Sequence, residues 1–297
     1  MNQLKSIFLL ALTLGLTSCK WNQQTVIVAG DSWALFTCVH KSLDHALSKA
    51  GLKNAKANAA CVTTSDAGAR AESWKQSRYH QNVLLALKDP TVKVLYLSLG
   101  GNDVINYWNK NLSESQTVQV IERTRQNVAD LVALYHAERP DVKILVTGYD
   151  FPRFTADHPI LIYRQMFEEM GLPSPFELNS ALVKMSESFF ALNQLKQTQY
   201  IHHLGLMHYH YGNKEMNLPP KTTRPPSEIS KPGVNFNSWG GDLKFQSDVP
   251  AMQVFTDGEF IGVVDAFHLS KQGYHFLAEH SVQLYIKNWL MSSAEAE

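Results

Sequence analysis

The sequence predicts an α/β fold in which a mostly parallel central sheet lies between two layers of helices. Short runs rich in β-branched and other apolar residues alternate with amphipathic helical patterns, which is typical of parallel strands joined by crossover helices. Glycine-containing turns follow directly after some of these runs. Composition agrees with one globular domain, because 44% of the 297 residues are apolar and 18% are charged.

The apolar runs and the helical patterns predict the elements in order along the chain. Strands are expected at 25–29, 55–62, 93–99 and 142–148, with a last one near 260–264. Helices are expected at 33–50, 78–88, 115–138 and 270–290. Because Asp257-Gly258 is a tight-turn dipeptide between two β-rich runs, the last strand is expected to pair with 252–256 as a hairpin.

A long segment at about 150–250 separates the fourth strand from the last one. It is longer than a simple connection between two elements. It contains amphipathic patterns at about 160–170 and 178–197 and a Pro-rich run at 217–233. Such an insertion could form a lid or a side wall of a cleft, and loop-rich segments often carry specificity. Four of its aromatic residues either line that cleft or pack a small core of the insertion itself: Tyr209, Tyr211, Phe236 and Trp239.

The first motif that points to catalysis is Gly30-Asp31-Ser32-Trp33, which follows the apolar run Val26-Ile27-Val28-Ala29. A serine at a strand-to-helix turn has its hydroxyl clear of the sheet, and the amides at the start of the helix favour the negative charge that acyl transfer develops. Ser32 is therefore the candidate nucleophile. Asp31 is expected to cap the helix and hold the turn, since Asp and Ser are also ordinary capping residues.

The second motif is Asp265-Ala266-Phe267-His268, near the end of the chain. In a helical or turn-like bend, this spacing puts the acidic and the imidazole side chains on the same side. The carboxylate can then accept a hydrogen bond from one ring nitrogen and leave the other free. The motif predicts a base that is oriented by an acid.

The third motif, Gly100-Gly101-Asn102-Asp103, follows the buried-strand pattern at 94–99. Asn102 is therefore expected at the carboxyl end of a strand, which is where sites form in open α/β sheets. Its side-chain amide can donate to a tetrahedral oxyanion. The alternative is that Asn102 and Asp103 cap the next segment.

In this order the three motifs resemble the SGNH or GDSL hydrolase superfamily, whose members carry Gly-Asp-Ser near the start, Gly-x-Asn-Asp in the middle and Asp-x-x-His near the end. The resemblance implies a three-layer α/β/α sandwich of the flavodoxin-like SGNH type. It implies a catalytic triad of Ser32, Asp265 and His268. It also implies an oxyanion hole formed by the backbone amides of Ser32 and Gly68 and by the Asn102 side chain.

The resemblance implies hydrolysis of carboxylic esters through an acyl-enzyme, a reaction that needs no cofactor. Lipid esters such as lysophospholipids suit an enzyme tethered to a membrane. O-acetyl groups of polysaccharides suit an aromatic-lined cleft, with acyl transfer to a sugar as a variant. A non-catalytic envelope lipoprotein on a hydrolase fold is an alternative from another class, although such a protein would not need to keep the motif residues.

The first 18 residues predict an export signal, because Lys5 precedes an apolar run at 7–16 that is too short to span a bilayer. The following Leu16-Thr17-Ser18-Cys19 resembles a bacterial lipoprotein box. This implies lipidation of Cys19 and therefore a membrane anchor. After cleavage, residues 19–297 are expected to form a single hydrolase domain. Lys20 implies sorting to the outer membrane, facing the periplasm or the surface, and a soluble secreted protein is the alternative.

Cys38 and Cys61 remain as a pair if Cys19 carries a lipid. In an oxidising compartment an even pair predicts a disulfide, here between the first helix and the second strand. The alternative is two buried free thiols.

Charge and histidine content restrict the partners. The formal net charge is zero, which removes the electrostatic case for nucleic-acid binding, so the expected partner is a small-molecule, lipid or glycan ester. No metal site is predicted, because the four clustered histidines fit no zinc motif: His202, His203, His208 and His210. The alternation at 208–211 predicts a strand or sheet edge, and a metal-dependent hydrolase on this segment is the competing hypothesis.

Overall fold

Five parallel strands form the central sheet of the protein, whose computed structural model describes residues 24–222, 243–256, 259 and 261–294. The strands are Gln24–Gly30 (β1), Ala55–Ala57 (β2), Val92–Ser98 (β3), Lys143–Thr147 (β4) and Thr198–Ile201 (β5). They lie in the order β2-β1-β3-β4-β5, and each neighbouring pair is parallel.

The central strands are buried on both faces, which is why they read as continuous apolar runs. Ile27 of β1 pairs with Leu95 of β3, and both side chains are at most 1% exposed. Because parallel strands end at the same edge, the carboxyl ends of β1, β3 and β4 bring three distant parts of the sequence together.

Helices flank this sheet in two groups. The first group is Ser32–Val39 (α1), Ser42–Lys49 (α2), Lys271–Ser281 (α10) and Lys287–Ala294 (α11), with a π-helical turn at Val282–Ile286 between the last two. The second group is Ala71–Trp74 (α3), Arg78–Leu87 (α4), Gly101–Tyr107 (α5), Glu114–Glu138 (α6), Leu161–Glu169 (α7) and Pro175–Phe189 (α8). A helix Leu206–Tyr211 (α9) packs near α10. The predicted α/β class with a parallel central sheet is confirmed.

The boundaries differ from the predictions in two places near the start of the chain. The helix expected at 33–50 is two helices, because Lys41 adopts a left-handed conformation with φ 52°. The strand expected at 55–62 ends at Ala57, and a 3-10 turn, Cys61–Thr63, follows it. The helices expected at 78–88 and 115–138 start and end within one residue of the prediction.

A second, two-stranded sheet carries the last motif. Met252–Val254 (β6) runs antiparallel to Val264–Leu269 (β7), so the expected hairpin pairing is present, although β7 begins where the predicted strand ends. Met252 lies opposite Leu269 and Val254 lies opposite Val264. Four residues, 265–268, therefore bulge out opposite a single residue of β6. The turn Asp257-Gly258 lies outside the described residues.

The segment 150–250 is built into the fold. It supplies β5, the helices α7 and α8, and the helix α9. The strand or edge predicted at 208–211 is wrong, because these residues belong to α9. The buried Asp150 carboxylate accepts hydrogen bonds from the Gly205 and Met207 amides, each at 2.7 Å, and so holds the start of this helix. Phe236, Trp239 and most of the Pro-rich run lie outside the described residues.

In the part of the chain that the structure describes, no helix is both long enough and apolar enough to cross a membrane.

Candidate active site

Three side chains from opposite ends of the sequence form one hydrogen-bonded chain. Ser32 is the first residue of α1, and its hydroxyl donates to His268 Nε2 at 2.8 Å. The other ring nitrogen, His268 Nδ1, donates to Asp265 Oδ2 at 2.9 Å. Ser32 and His268 are only 7% and 8% exposed, and Asp265 is 2% exposed. In this order the carboxylate can orient the imidazole, and the imidazole can accept the proton of the hydroxyl.

The bulge in β7 holds Asp265. Its Oδ1 accepts the backbone amides of Phe267 and His268, each at 2.9 Å, which closes the local bend. Its Oδ2 accepts the Tyr163 hydroxyl at 2.9 Å as well as His268. Burial raises the pKa of Asp265, but the hydrogen bond and the charge of His268, with the two amides, outweigh burial and lower it. The carboxyl is therefore held in its charged form.

Aromatic rings surround the His268 imidazole. The Phe36 ring, one turn after Ser32 on α1, lies 4.6 Å from the imidazole centroid. The Phe267 ring stands nearly perpendicular to it at 5.1 Å. These contacts limit ring rotation and exclude water from one side of the base.

A tight turn presents Ser32. Gly30 has φ 131°, and a Cβ atom there would lie 1.8 Å from the Ser98 carbonyl oxygen, so only glycine fits. The Asp31 amide donates to that same carbonyl at 2.8 Å. Asp31 Oδ1 accepts the Trp33 amide at 3.0 Å and caps α1, as its position in the sequence suggested.

Tyr149 links the nucleophile turn to the Asn102 turn. Its hydroxyl donates to Asp31 Oδ2 at 2.5 Å and accepts the Gly101 amide at 2.8 Å. A Cβ atom on Gly101 would lie 2.5 Å from the Tyr149 ring, which explains the second glycine of the motif. Burial raises the pKa of Asp31 to about 7, against the lowering effect of the Tyr149 and Trp33 hydrogen bonds.

Asn102 lies in the first turn of α5 and lines the same cavity as Ser32. Its Nδ2 donates to the Ala69 carbonyl at 3.0 Å, which fixes the amide plane and leaves the second hydrogen of this nitrogen for another acceptor. The adjacent Asp103 accepts the amides of Ala71 and Glu72 at 2.7 and 3.2 Å. The side chains of Asn102 and Asp103 thus both hold the loop that contains Gly68.

The other end of this loop is tied to β1. The Asp66 amide donates to the Gly30 carbonyl at 2.8 Å, and Ser65 bridges to Gly30 in parallel. Gly68 itself adopts φ 79°, a left-handed conformation that favours glycine. The Gly68 loop is therefore fixed to β1, which ends two residues before Ser32, and to α5, whose first turn contains Asn102.

An apolar cavity opens beside Ser32. The free space at this site is about 470 Å³ when the open solvent in front of the cavity is included. The wall consists mainly of hydrophobic side chains, among them Ile105, Phe154, Leu178, Leu182 and Phe267. Three of these, Phe154, Leu178 and Leu182, belong to the insertion, which therefore forms one side of the cavity.

The structure joins Cys38 and Cys61 in a disulfide, with Cα atoms 5.8 Å apart. The bridge connects the end of α1 to the 3-10 turn that follows β2. It closes a chain segment with a sequence separation of 23 residues. Bridges of this loop length typically stabilise the folded state by about 2–4 kcal/mol.

The clustered histidines are packing residues in the described part of the chain. His203 Nδ1 lies 3.2 Å from His280 Nδ1 of α10, and His208 Nε2 donates to the Gln246 carbonyl at 3.0 Å. His210 stacks on Phe276 at 3.6 Å. Across the described ranges, no group of three or more His, Cys, Asp or Glu side chains could hold a metal ion.

Two tyrosines of the site, Tyr149 and Tyr163, carry no signal in the sequence. Tyr149 follows the β4 run and Tyr163 lies inside an amphipathic helical pattern, where an aromatic residue is ordinary. Their partners are 118 and 102 residues away in sequence, so only the fold reveals the contacts.

Solved structures of other proteins resemble this chain in fold. A carbohydrate acetylesterase from Sinorhizobium meliloti superposes with TM-score 0.50 at 10% identity, covering 90% of this chain and 100% of that one. An extracellular lipase from Streptomyces rimosus gives 0.47 at 13% identity, covering 88% and 98%. The periplasmic domain of a lipopolysaccharide acetyltransferase from Salmonella Paratyphi A gives 0.47 at 17% identity, covering 93% and 88%. At such low identities these likenesses concern the fold alone.

No functionally curated protein matches the sequence significantly. The sequence pattern of the GDSL-like lipase/acylhydrolase family, however, matches residues 30–281, which include all three motifs. The family expected from the motifs is confirmed, and the chain belongs to the GDSL-like lipase/acylhydrolase family of ester hydrolases.

Proposed function

We propose that this protein hydrolyses carboxylic esters through an acyl-enzyme formed on Ser32. The observation that supports the proposal most is the unbroken chain of hydrogen bonds from Ser32 through His268 to Asp265. Ser32 Oγ attacks the ester carbonyl carbon while His268 Nε2 takes its proton, and Asp265 stabilises the imidazolium. His268 then protonates the leaving alcohol. In the second half of the reaction His268 takes a proton from a water molecule, which attacks the acyl carbonyl carbon, and His268 returns the proton to Ser32 Oγ as the acid leaves.

The oxyanion of each tetrahedral intermediate is assigned to three donors: the Ser32 amide, the Gly68 amide and the Asn102 side chain. The Ser32 amide is at the start of a helix, where the backbone donors lack intrahelical partners. The contact between Asn102 and Ala69 supports the shared role, because it fixes the Asn102 amide next to the Gly68 loop.

The cavity favours an apolar acyl group longer than acetate. Its wall is mostly hydrocarbon, as is usual for pockets that bind apolar ligands. Burying each methylene of an acyl chain there stabilises the complex by about 0.8 kcal/mol. Lipid or other medium-chain esters are therefore the proposed substrates, in preference to O-acetyl groups of polysaccharides.

Hydrolysis of p-nitrophenyl esters from acetate to dodecanoate tests both parts of the proposal. Ser32→Ala should lower kcat by about 10⁴- to 10⁶-fold and abolish labelling by a fluorophosphonate. Ser65→Ala, which removes a buried hydroxyl from the adjacent loop, is the matched control and should stay active. Activity that survives Ser32→Ala would refute the mechanism.

The chain-length series decides the acyl group. A preference for acetate alone would favour the acetylesterase or acetyltransferase alternative. A wild-type protein that neither hydrolyses these esters nor reacts with the fluorophosphonate would favour a non-catalytic envelope protein.

The proposed cellular setting is the envelope. In this proposal, residues 1–18 are removed on export, Cys19 carries a lipid, and 19–297 form one hydrolase domain in which 150–250 is the insertion. Residues 1–23 lie outside the described structure, so the support is the sequence alone. Cys19→Ser should move the protein from the membrane fraction to the soluble fraction, and unchanged partitioning would exclude the anchor.

A further inference from the structure

Asp265 has a side-chain partner besides His268. The Tyr163 hydroxyl of α7 donates to Asp265 Oδ2 at 2.9 Å, and His268 Nδ1 donates to the same oxygen at 2.9 Å. Tyr163 is a residue of the insertion, 102 positions before Asp265. The insertion therefore reaches the acid end of the Ser32–His268–Asp265 chain directly.

The Tyr163 contact is one of three hydrogen bonds between the insertion and β7, which together we call the seam. The Arg153 amide donates to the Ala266 carbonyl at 2.6 Å, and His158 Nε2 donates to the Val264 carbonyl at 2.8 Å. These two carbonyls flank Asp265 in sequence. The seam therefore fixes the backbone on both sides of the carboxylate.

Packing fixes the Tyr163 ring as well. The ring stands edge-on to Phe267 at 5.2 Å and to His158 at 5.0 Å. Burial, followed by the charge of Asp265 and its hydrogen bond, raises the pKa of the Tyr163 hydroxyl. Tyr163 thus stays protonated, and remains a donor, at every pH at which the enzyme would be assayed.

We propose that Tyr163 is a positioning residue of the catalytic base: its hydroxyl holds the carboxylate oxygen that orients His268 and takes up part of its negative charge. The inference rests on the proposed function. Because Oδ2 shares its charge between two donors, it supports a protonated imidazole less strongly than an oxygen bonded to His268 alone. Removing the hydroxyl should therefore make His268 easier to protonate.

Other titratable groups also face the pair of Asp265 and His268, and all of them are retained in the variant proposed below. In the described part of the chain they come from the β1–α1 turn, from α10 and from the insertion: Asp31, Tyr274 and His158. A change in the pH profile on removing one hydroxyl therefore reports that hydroxyl.

Tyr163→Phe in the full chain is the test, since it keeps the ring and its packing. The rate constant for labelling of Ser32 by a fluorophosphonate, and kcat/KM for p-nitrophenyl butyrate, are measured from pH 5 to pH 9. We expect the acid limb of both profiles to move to higher pH by roughly 0.5 unit, as expected for the loss of one hydrogen bond to the charged partner of the base. Tyr200→Phe, which removes a buried hydroxyl bonded to Ser186 in the same insertion, should leave the limb in place.

If the midpoint of the acid limb stays within 0.1 pH unit of the wild-type value, the inference is overturned. This holds even if Tyr163→Phe lowers the total activity by reducing the fraction of folded protein. The double variant of Tyr163→Phe with Asp265→Asn is an independent second test. If the hydroxyl acts through the carboxylate, adding Tyr163→Phe to Asp265→Asn changes the labelling rate less than twofold. If Tyr163→Phe has the same effect in wild type and in Asp265→Asn, the inference is overturned. Loss of labelling in Ser32→Ala establishes the proposed function separately, so the two failures are distinguishable.

Discussion

At the scale of single residues, Asn102 is the side chain with the clearest separable role. Its bond to Ala69 holds the amide in place, so replacement by alanine removes an oriented donor without opening the hydrophobic core. Asn102→Ala should lower kcat by about 100- to 1000-fold, or roughly 3–4 kcal/mol of transition-state stabilisation, with KM changed far less. Steady-state kinetics on a p-nitrophenyl ester measures both.

The matched control for Asn102 is Asn106→Ala, one turn along the same helix and exposed. This variant should retain more than a third of the activity. A loss below fivefold in Asn102→Ala would remove the side chain from the proposed oxyanion hole.

Local motifs predict some site residues because their chemistry depends on a short stretch of chain. Ser32 is predictable from a strand that meets a helix, and the Asp265–His268 contact is predictable from a three-residue spacing in a bend. The structure brings these residues together. Tyr149 and Tyr163 were not predictable, since their roles depend on which distant elements the fold places beside them.

At the scale of elements, α8 supplies part of the cavity wall. Leu182 projects from this helix into the cavity wall, so a larger side chain there fills space that an acyl chain would occupy. Leu182→Trp should lower the ratio of octanoate to acetate hydrolysis at least tenfold, while acetate hydrolysis stays within about threefold of wild type.

Parallel p-nitrophenyl assays check this ratio. Glu187→Trp, at an exposed position of the same helix, is the control and should leave the ratio unchanged. An unchanged ratio in Leu182→Trp would mean that acyl chains bind elsewhere.

Elements with long, regular patterns were predictable, whereas some short ones were not. The strands β1, β3 and β4 are continuous apolar runs, and α6 has 25 residues of helical periodicity. The edge strand β5 has four residues, Thr-Gln-Tyr-Ile, which form no apolar run. In α9 the alternation of His and Tyr suggested a strand, but the Asp150 carboxylate holds the first turn as a helix.

At the scale of the whole molecule, buried titratable groups make stability depend on pH in two opposing ways. His203 is buried and His280 is half-buried, and desolvation lowers the pKa of His203 well below its usual value and that of His280 to about 3. The unfolded chain binds these protons near pH 6.5, so stability is lost as pH falls below that value. Burial raises the pKa of Asp31 and Asp150 to about 7, so the folded state gains stability as pH falls from 7 towards 4.

A variant separates the two effects. His280→Gln removes one histidine that resists protonation, so its stability relative to wild type should rise by up to about 1.4 kcal/mol per pH unit below pH 6.5. Urea unfolding at pH 7.5, 6.5 and 5.5 measures this difference. A flat difference for His280→Gln would show that this histidine pair does not govern acid stability.

The seam between the insertion and β7 has a consequence for protein engineering. An insertion that only lines a pocket could be exchanged between related enzymes as an independent unit, and the exchange would transfer substrate preference. Here the same stretch forms hydrogen bonds to the Asp265 carboxylate and to the carbonyls of both neighbouring residues. A graft of this region would therefore carry part of the proposed proton-transfer chain with it. Where the donor or the recipient lacks the tyrosine, the exchange would change acyl selectivity and the strength of the proposed base together.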